Sequence, residues 1–311
     1  MRPKIVFLDS YSVGGCDLSA IRRLGDYTGY EFTRREQIAE RCGDAEIVIT
    51  NKVVLDADIL RRLPQLRLIC IAATGMNNVD LEAAAELGIE VRNAVGYSTF
   101  SVAEATIGAA LALLRETAYY NDYFHSGAYS KGRMFCFDRP TAQIRGKNWG
   151  IVGLGNIGRE AARLATAFGC RVRYCSTSGV ARREDYEAMP LDGLLGWADI
   201  VSIHCPLNEH TRNLIGSREL ALMRPSAIII NVARGGIIDE QALADALNAG
   251  ILRGAALDVF SQEPLPADSP LLHLHDRYRL LASPHNAWSS AEAIERLVGC
   301  IADNIEHHIG K

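Results

Sequence analysis

The sequence carries no excess of positive charge, with 33 lysines and arginines against 37 aspartates and glutamates, and only 7% of it is aromatic. A net charge of −4 leaves no basic footprint of the kind a nucleic-acid binder displays on some face. There is no long block of like charge and no low-complexity segment. The eight cysteines are dispersed at Cys16, Cys42, Cys70, Cys136, Cys170, Cys175, Cys205 and Cys300, with no C-x-x-C pair. Most lie in apolar runs, which suits small buried hydrophobes and a reduced cytoplasm. No cluster of ligating residues has the spacing of a metal site. The first apolar run, Ile5 to Leu8, is cut short by Asp9, too early for a signal peptide. The most apolar later stretch, Ala105 to Leu114, is far short of the roughly 20 residues that span a bilayer. It reads as a buried helix.

What is present is 311 residues, 48% hydrophobic and 23% charged, enough for one large or two ordinary domains. Short apolar runs alternate with amphipathic stretches throughout. Strands are expected at Lys4–Leu8, Glu46–Thr50, Leu68–Ala72 and Glu90–Arg92, with helices such as Asp56–Arg62 and Val79–Leu87 between them. The alternation restarts at Trp149 after a polar, irregular segment from His125 to Lys147. Strands follow at Trp149–Val152, Arg171–Tyr174, Ile200–His204, Ala227–Val232, Gly254–Asp258 and Leu280–Ala282. Helices are expected at Ile157–Phe168, Ser217–Met223 and Glu240–Asn248. Near-continuous apolar strands separated by helices indicate an α/β fold with parallel sheets, here in two similar domains. A long helix from Ser98 to Tyr123 would bridge them. The terminal helix, Ala291 to His308, would cap the second domain or cross back to the first.

The strand before Gly153 runs straight into Gly153-Leu154-Gly155-Asn156-Ile157-Gly158. In such a G-x-G-x-x-G turn the first glycine permits the tight turn. The second lets backbone approach a pyrophosphate, and the third lets helix pack on strand. The pyrophosphate then rests on the helix N-terminus, where free N–H groups favour anions. A nicotinamide dinucleotide, NAD or NADP, is the expected cofactor. About 20 positions after the first glycine an acid usually binds the ribose 2′-hydroxyl of NAD. Here that place reads Tyr174-Cys175-Ser176-Thr177-Ser178, without a carboxylate to repel a 2′-phosphate. Ser176, Thr177 and Ser178 offer hydroxyl donors, and Arg182 and Arg183 offer charge, unless that arginine pair is simply solvated. NADP is therefore permitted, and its preference is open.

Polar residues also end three later strands, at Asn231-Val232-Ala233-Arg234-Gly235-Gly236, at Asp258 with Glu263, and at Ser283-Pro284-His285. The crevice outside the carboxyl ends of such strands is where open α/β sheets bind ligands. An arginine there can grip a carboxylate with two parallel hydrogen bonds. A histidine paired to a carboxylate is a natural acid–base unit. Taken singly, Arg234, Glu263 and His285 each have an ordinary structural reading. His204 falls at a strand end near the expected cofactor, while His273 and His275 read as loop residues.

With these residues in place, the chain resembles the D-isomer-specific 2-hydroxyacid dehydrogenases over nearly its whole length. The resemblance is carried by Ala73-Thr74-Gly75-Met76-Asn77-Asn78-Val79-Asp80, Ser101-Val102-Ala103-Glu104 and the glycine turn. It continues through His204-Cys205-Pro206-Leu207, Asn231 to Gly236, Ala256 to Phe260 with Glu263-Pro264, and Pro284-His285. It implies two Rossmann-like domains, with the substrate domain formed by both chain ends. Residues 1–98 and 288–311 would be the substrate domain and residues 99–287 the dinucleotide-binding domain, so that the terminal helix crosses back. It implies a catalytic trio of Arg234, Glu263 and His285, and substrate contacts from Thr74, Gly75, Met76, Arg234 and His285. The cofactor contacts it implies come from Thr74, Thr106, Gly153, Gly155, Asn156, Ile157, Gly158, Ser176, Thr177, Ser178, Cys205, Pro206, Thr211, Val232, Ala233, Arg234, Asp258, His285 and Ala287. A homodimer formed through the cofactor domain is also implied. Family members that use NAD commonly carry Asp where Cys175 stands. Formate-oxidising relatives place glutamine where Glu263 stands, which argues against formate.

The reaction so implied is reduction of a 2-keto acid. Its carboxylate would dock on the Gly75 and Met76 amides and on Arg234, and protonated His285 would give its proton to the carbonyl oxygen. Glu263 would orient the imidazole and favour its charged form. Closure of the two domains would exclude water. Ser176–Gly179 and Pro264–Pro270 most resemble members acting on glycerate and hydroxypyruvate, which points to hydroxypyruvate or glyoxylate. D-lactate-type, branched-acid and phosphoglycerate substrates are alternatives. A non-catalytic dinucleotide-sensing protein is a further one.

Overall fold

Runs of four or five apolar residues, too short for a helix and rich in isoleucine and valine, become fully buried strands. The computed structural model describes residues 2–179 and 183–310, which divide into two compact units. Met1–Ser98 with Ser289–Lys311 form one, and Thr99–Trp288 form the other.

In the first unit, β1 (Lys4–Phe7), β2 (Asp26–Gly29), β3 (Ile47–Thr50), β4 (Leu68–Ile71) and β5 (Glu90–Asn93) form a parallel sheet in the order β2-β1-β3-β4-β5. β3 and β4 are buried along their whole length. β2 was not expected from the sequence. It is a half-exposed edge strand of polar composition, and its ladder to β1, not an apolar pattern, makes it a strand. Helix Ala291–Ile309 belongs to this unit and packs on helix Ser19–Arg22 and on β4. Its Asn304 Nδ2 donates to the Asn93 carbonyl at 3.1 Å.

The strand order of this sheet reverses between β1 and β3, the place where such sheets leave a crevice for ligands. Here a carboxylate ties the two strand ends together. Asp9, 2% exposed, follows β1 and accepts hydrogen bonds from the backbone N–H of Asn51 (2.9 Å), Lys52 (2.6 Å) and Val53 (3.2 Å) after β3. Burial raises its carboxyl above the usual range against the downward pull of these donors. Asp9→Ala strands three backbone donors. Thermal unfolding is expected to show a loss of roughly 2–3 kcal/mol, and an unchanged Tm would remove this role.

In the second unit, β6 (Asn148–Val152), β7 (Arg171–Cys175), β8 (Glu187–Ala188), β9 (Ile200–Ile203), β10 (Ile228–Asn231), β11 (Gly254–Leu257) and β12 (Leu280–Ala282) form a parallel sheet. The order is β12-β11-β10-β9-β6-β7-β8. Two buried clusters sandwich it. One is built on Leu194, Leu220, Leu243 and Leu247. The other is built on Trp149, Ile107, Leu113 and Ala161, where helices Thr99–Leu114 and Asn156–Ala167 pack together.

The single long helix expected from Ser98 to Tyr123 is in fact two, Thr99–Leu114 and Thr117–His125. Glu116 breaks it with a left-handed backbone, φ 54°. Its carboxylate accepts from Arg139 at 3.0 Å and Arg253 at 2.9 Å, and these two ion pairs hold the break. All eight cysteines are among the described residues, and none is disulfide-bonded. Among the described residues no helix is long and apolar enough to cross a membrane, and no group of side chains is set to hold a metal ion.

Candidate active site

The second sheet reverses direction between β6 and β9, so its crevice lies outside the carboxyl ends of those strands. The glycine turn follows β6 directly. Gly153 has φ 92°, and a β-carbon there would lie 2.7 Å from the Cys205 backbone nitrogen. A β-carbon on Gly158 would lie 2.3 Å from the Gly153 carbonyl oxygen. The fold itself thus demands these two glycines. Gly155 is different, because nothing lies within 4 Å of a β-carbon placed there and its φ of −83° suits any residue. The fold therefore makes no demand for a glycine at this position. Gly155 caps the N-terminus of helix Asn156–Ala167, with Asn156 exposed and Ile157 half-buried behind it. The residues therefore fit a dinucleotide pyrophosphate laid across the turn. Gly155→Ala is expected to leave stability within about 0.5 kcal/mol while weakening NADH binding by at least roughly tenfold. Equal Kd values by fluorescence titration would show that no ligand passes over this residue.

The same pocket continues to the end of β7. Gly153, Leu154, Gly155, Tyr174, Ser176, Thr177, Ser178, Glu184, His204, Cys205 and Pro206 line it. The Cys175 carbonyl accepts from Gly153 N–H at 2.9 Å, and burial raises its thiol, so the position usually held by an acid is neutral. The Ser176 and Ser178 hydroxyls lie 3.2 Å apart. Burial pushes the Cys205 thiol up to about 11. His204 is pushed down to about 3 by burial and is neutral. Trp149 Nε1 donates to Ser202 Oγ, which lies 2.9 Å from His204 Nε2. Arg183 is exposed, and Arg182 lies outside the described residues. Sequence reasoning missed Glu184, which carries no motif and enters the pocket from the connection between β7 and β8.

Three further strand ends carry the residues expected to do chemistry. After β10, Asn231 folds the turn: its Oδ1 accepts from Ala233 N–H at 3.0 Å and its Nδ2 donates to the Arg234 carbonyl at 2.8 Å. Arg234 is exposed, donates to the Ala233 carbonyl at 2.7 Å and makes no salt bridge among the described residues. Val232 and Ala233 are half-buried beside it. After β11, the buried carboxylate of Asp258 accepts from Ser283 Oγ (2.6 Å), Asn286 N–H (2.9 Å) and Ala287 N–H (3.0 Å). It thereby ties down the loop after β12. On that loop His285 adopts φ 54°, a left-handed backbone that costs energy and is held by its surroundings. His285 Nδ1 lies 2.7 Å from Glu263 Oε2, and Glu263 Oε1 accepts from Phe260 N–H at 3.0 Å. With Nδ1 engaged, the imidazole turns Nε2 to whatever approaches, and Nε2 has no partner among the described residues.

Two residues expected near the cofactor use their hydroxyls inside the protein. Thr106 is fully buried and donates to the Val102 carbonyl of its own helix at 2.7 Å. Thr211 donates to the Pro206 carbonyl at 2.6 Å and braces the loop after β9. Ala287 is buried, and its carbonyl accepts from Ser101 Oγ at 2.6 Å.

In the first unit, Thr74, Gly75 and Met76 follow β4. Thr74 Oγ1 donates to the Ala94 carbonyl at 3.0 Å, and the Thr74 carbonyl accepts from Asn93 Nδ2 at 2.6 Å. These bonds hold the loop so that the Gly75 and Met76 N–H groups donate to no acceptor among the described residues. Two adjacent unclaimed backbone donors suit a carboxylate.

A switch-point glycine turn and a histidine–carboxylate pair on the same sheet suit a dinucleotide-dependent enzyme with an acid–base group beside the cofactor. Residues 107–287 match the family described as D-isomer specific 2-hydroxyacid dehydrogenase, NAD binding domain. The chain is 39% identical to the glycerate dehydrogenase of Methylorubrum extorquens, over 98% of this chain and 96% of the other. It is 35% identical to the hydroxypyruvate reductase of Blautia hydrogenotrophica, over 98% and 97% of the two. Among solved structures, an acyclic imino acid reductase in complex with NADPH and D-Arg superposes with a TM-score of 0.86 at 26% identity, covering 99% of this chain and 97% of that one. The chain belongs to the D-isomer-specific 2-hydroxyacid dehydrogenases, and it is an oxidoreductase acting on the CH–OH group of 2-hydroxy acids with NAD(P).

Proposed function

We propose that the chain reduces hydroxypyruvate or glyoxylate to the D-2-hydroxy acid, with NADPH accepted as well as NADH. The observation that carries this reading is the Glu263–His285 pair at 2.7 Å, which leaves Nε2 as the proton donor. The nicotinamide supplies the hydride. The Gly75 and Met76 amides hold the substrate carboxylate, and Arg234 supports it with its fork while polarising the ketone. His285 delivers the proton to the carbonyl oxygen, and Glu263 orients the ring. Residues 1–98 with the terminal helix act as the substrate domain, and the second unit acts as the dinucleotide-binding domain.

The substrate reading is supported by relatives named for glycerate and hydroxypyruvate. The cofactor reading is supported by the neutral end of β7 and by the NADPH of the imino acid reductase. A spectrophotometric screen of 2-keto acids with both cofactors tests all of this. Hydroxypyruvate and glyoxylate are expected to give the highest kcat/KM. Preference for pyruvate would move the chain to the D-lactate-type members, and a strong preference for NADH would sink the NADPH claim. Binding of the dinucleotide with no turnover would make it a sensor.

Phe124, Met134, Phe135 and Phe137 are 62–86% exposed on one stretch of the second unit, and exposed apolar side chains that cluster mark interaction surfaces. A second copy of the chain is proposed to cover this stretch. Light scattering is expected to return twice 34.0 kDa, and a monomer would overturn the claim. The free thiols suit the reducing cytoplasm, and recovery from an oxidising compartment on cell fractionation would overturn that assignment.

A further inference from the structure

Glu184 stands beyond the end of β7, yet it lines the same pocket as Gly153, Gly155 and Ser176 to Ser178. Its side chain is 11% exposed, and Arg159 grips it from the first turn of helix Asn156–Ala167. Arg159 Nε lies 3.0 Å from one carboxylate oxygen and Nη2 lies 2.5 Å from the other, which is the bidentate fork. The strand end at Cys175 supplies no charge to this end of the pocket. The clasped pair supplies both signs.

The geometry points to the Arg159–Glu184 pair as the selector between a ribose 2′-hydroxyl and a ribose 2′-phosphate. This rests on the reading of the pocket as the dinucleotide site. A carboxylate accepts a hydrogen bond from a ribose hydroxyl and repels a phosphate, as an acid at the end of β7 would. A guanidinium binds phosphate through the same fork that it here gives to Glu184. Clasped together, the two charges offset each other and the site discriminates weakly. The hydroxyls of Ser176, Thr177 and Ser178 serve either ligand, as donors to phosphate or partners to hydroxyl. A 2′-phosphate competes with Glu184 for Arg159, so each half of the pair tips the balance in the opposite direction. Arg159 is 39% exposed, so added salt weakens the discrimination.

The test is isothermal titration of the purified full chain with two probes, ADP and adenosine 2′,5′-bisphosphate, alongside the kcat/KM ratio for NADPH over NADH. Glu184→Gln is expected to strengthen binding of the bisphosphate relative to ADP by about tenfold. Arg159→Met is expected to weaken the bisphosphate by a similar factor while ADP binding holds. The kcat/KM ratio moves the same way in each variant. ADP binding with an unchanged ratio in both variants overturns the selector and leaves the dinucleotide site standing. If neither nucleotide binds the wild-type chain, the site and the selector fall together.

Discussion

Replacing His285 with glutamine is expected to slow keto-acid reduction by roughly 10²–10⁴-fold, the usual contribution of a positioned general acid. Glutamine keeps a donor near the reacting oxygen but has no proton to give up. Glutamine takes up and releases no proton, so whatever pH dependence the proton donor confers on reduction should disappear with the rate. The loss belongs to kcat, because the substrate carboxylate is held elsewhere. His285 also spends energy on its left-handed backbone, φ 54°, which the Asp258 hydrogen bonds to Asn286 and Ala287 maintain. The loop should therefore keep its shape in the variant and the Tm should hold. Stopped-flow reduction across pH 5 to 9 checks both parts. A variant that retains wild-type turnover, or the wild-type pH profile at a lower rate, would take His285 out of the proton transfer.

The parts of this protein that could be read from its sequence are those where one physical demand dominates. β3, β4, β9 and β10 are buried along their length, so their residues are mostly apolar, with Thr50, Ser202 and Asn231 the polar ones, and they announce themselves. β2 and β8 are edge strands with exposed polar residues, and only their neighbours make them strands. Helix Ala291–Ile309 shows its apolar face in the sequence, but amphipathicity does not say which sheet it will cover. The residue pattern alone left two choices, and the structure places it on β4. The break at Glu116 was hidden for a related reason. The helical pattern continues through it, and the ion pairs to Arg139 and Arg253 that hold it come from 23 and 137 residues away.

The site divides along the same line. The glycine turn was legible because its spacing is local. The structure adds that Gly153 and Gly158 answer to the fold, whereas a β-carbon on Gly155 would meet nothing within 4 Å. Glu184 and Asp9 were not legible. Each does its work through partners brought in by chain reversal, Arg159 for one and the Asn51–Val53 backbone for the other. Asp9 also explains why two sheets with similar switch points are not equivalent. In one the strand ends are tied together by the carboxylate of Asp9, and in the other a pocket opens beside Gly155.

Arg234→Lys is expected to cut kcat/KM by roughly 10²–10³-fold, about 2.7–4 kcal/mol, the range found when one donor to developing charge is removed. Charge is conserved in this variant, so the effect isolates geometry. A guanidinium presents a rigid planar fork, whereas an ammonium is a compact, strongly hydrated point charge. The turn that carries Arg234 is tightly held. Asn231 pins the backbone on both sides of it. A β-carbon on the next residue, Gly235, would lie 1.9 Å from the Phe260 carbonyl oxygen, so the turn is pressed directly against the segment that leads to Glu263. Arg234 itself has no counter-ion among the described residues and is exposed, so its replacement should leave the Tm unchanged. That combination separates it from Asp9, whose loss costs stability. A lysine variant with near-normal kcat/KM would mean that position 234 needs only a positive charge. A variant that unfolds early would mean that Arg234 serves the turn and not the substrate.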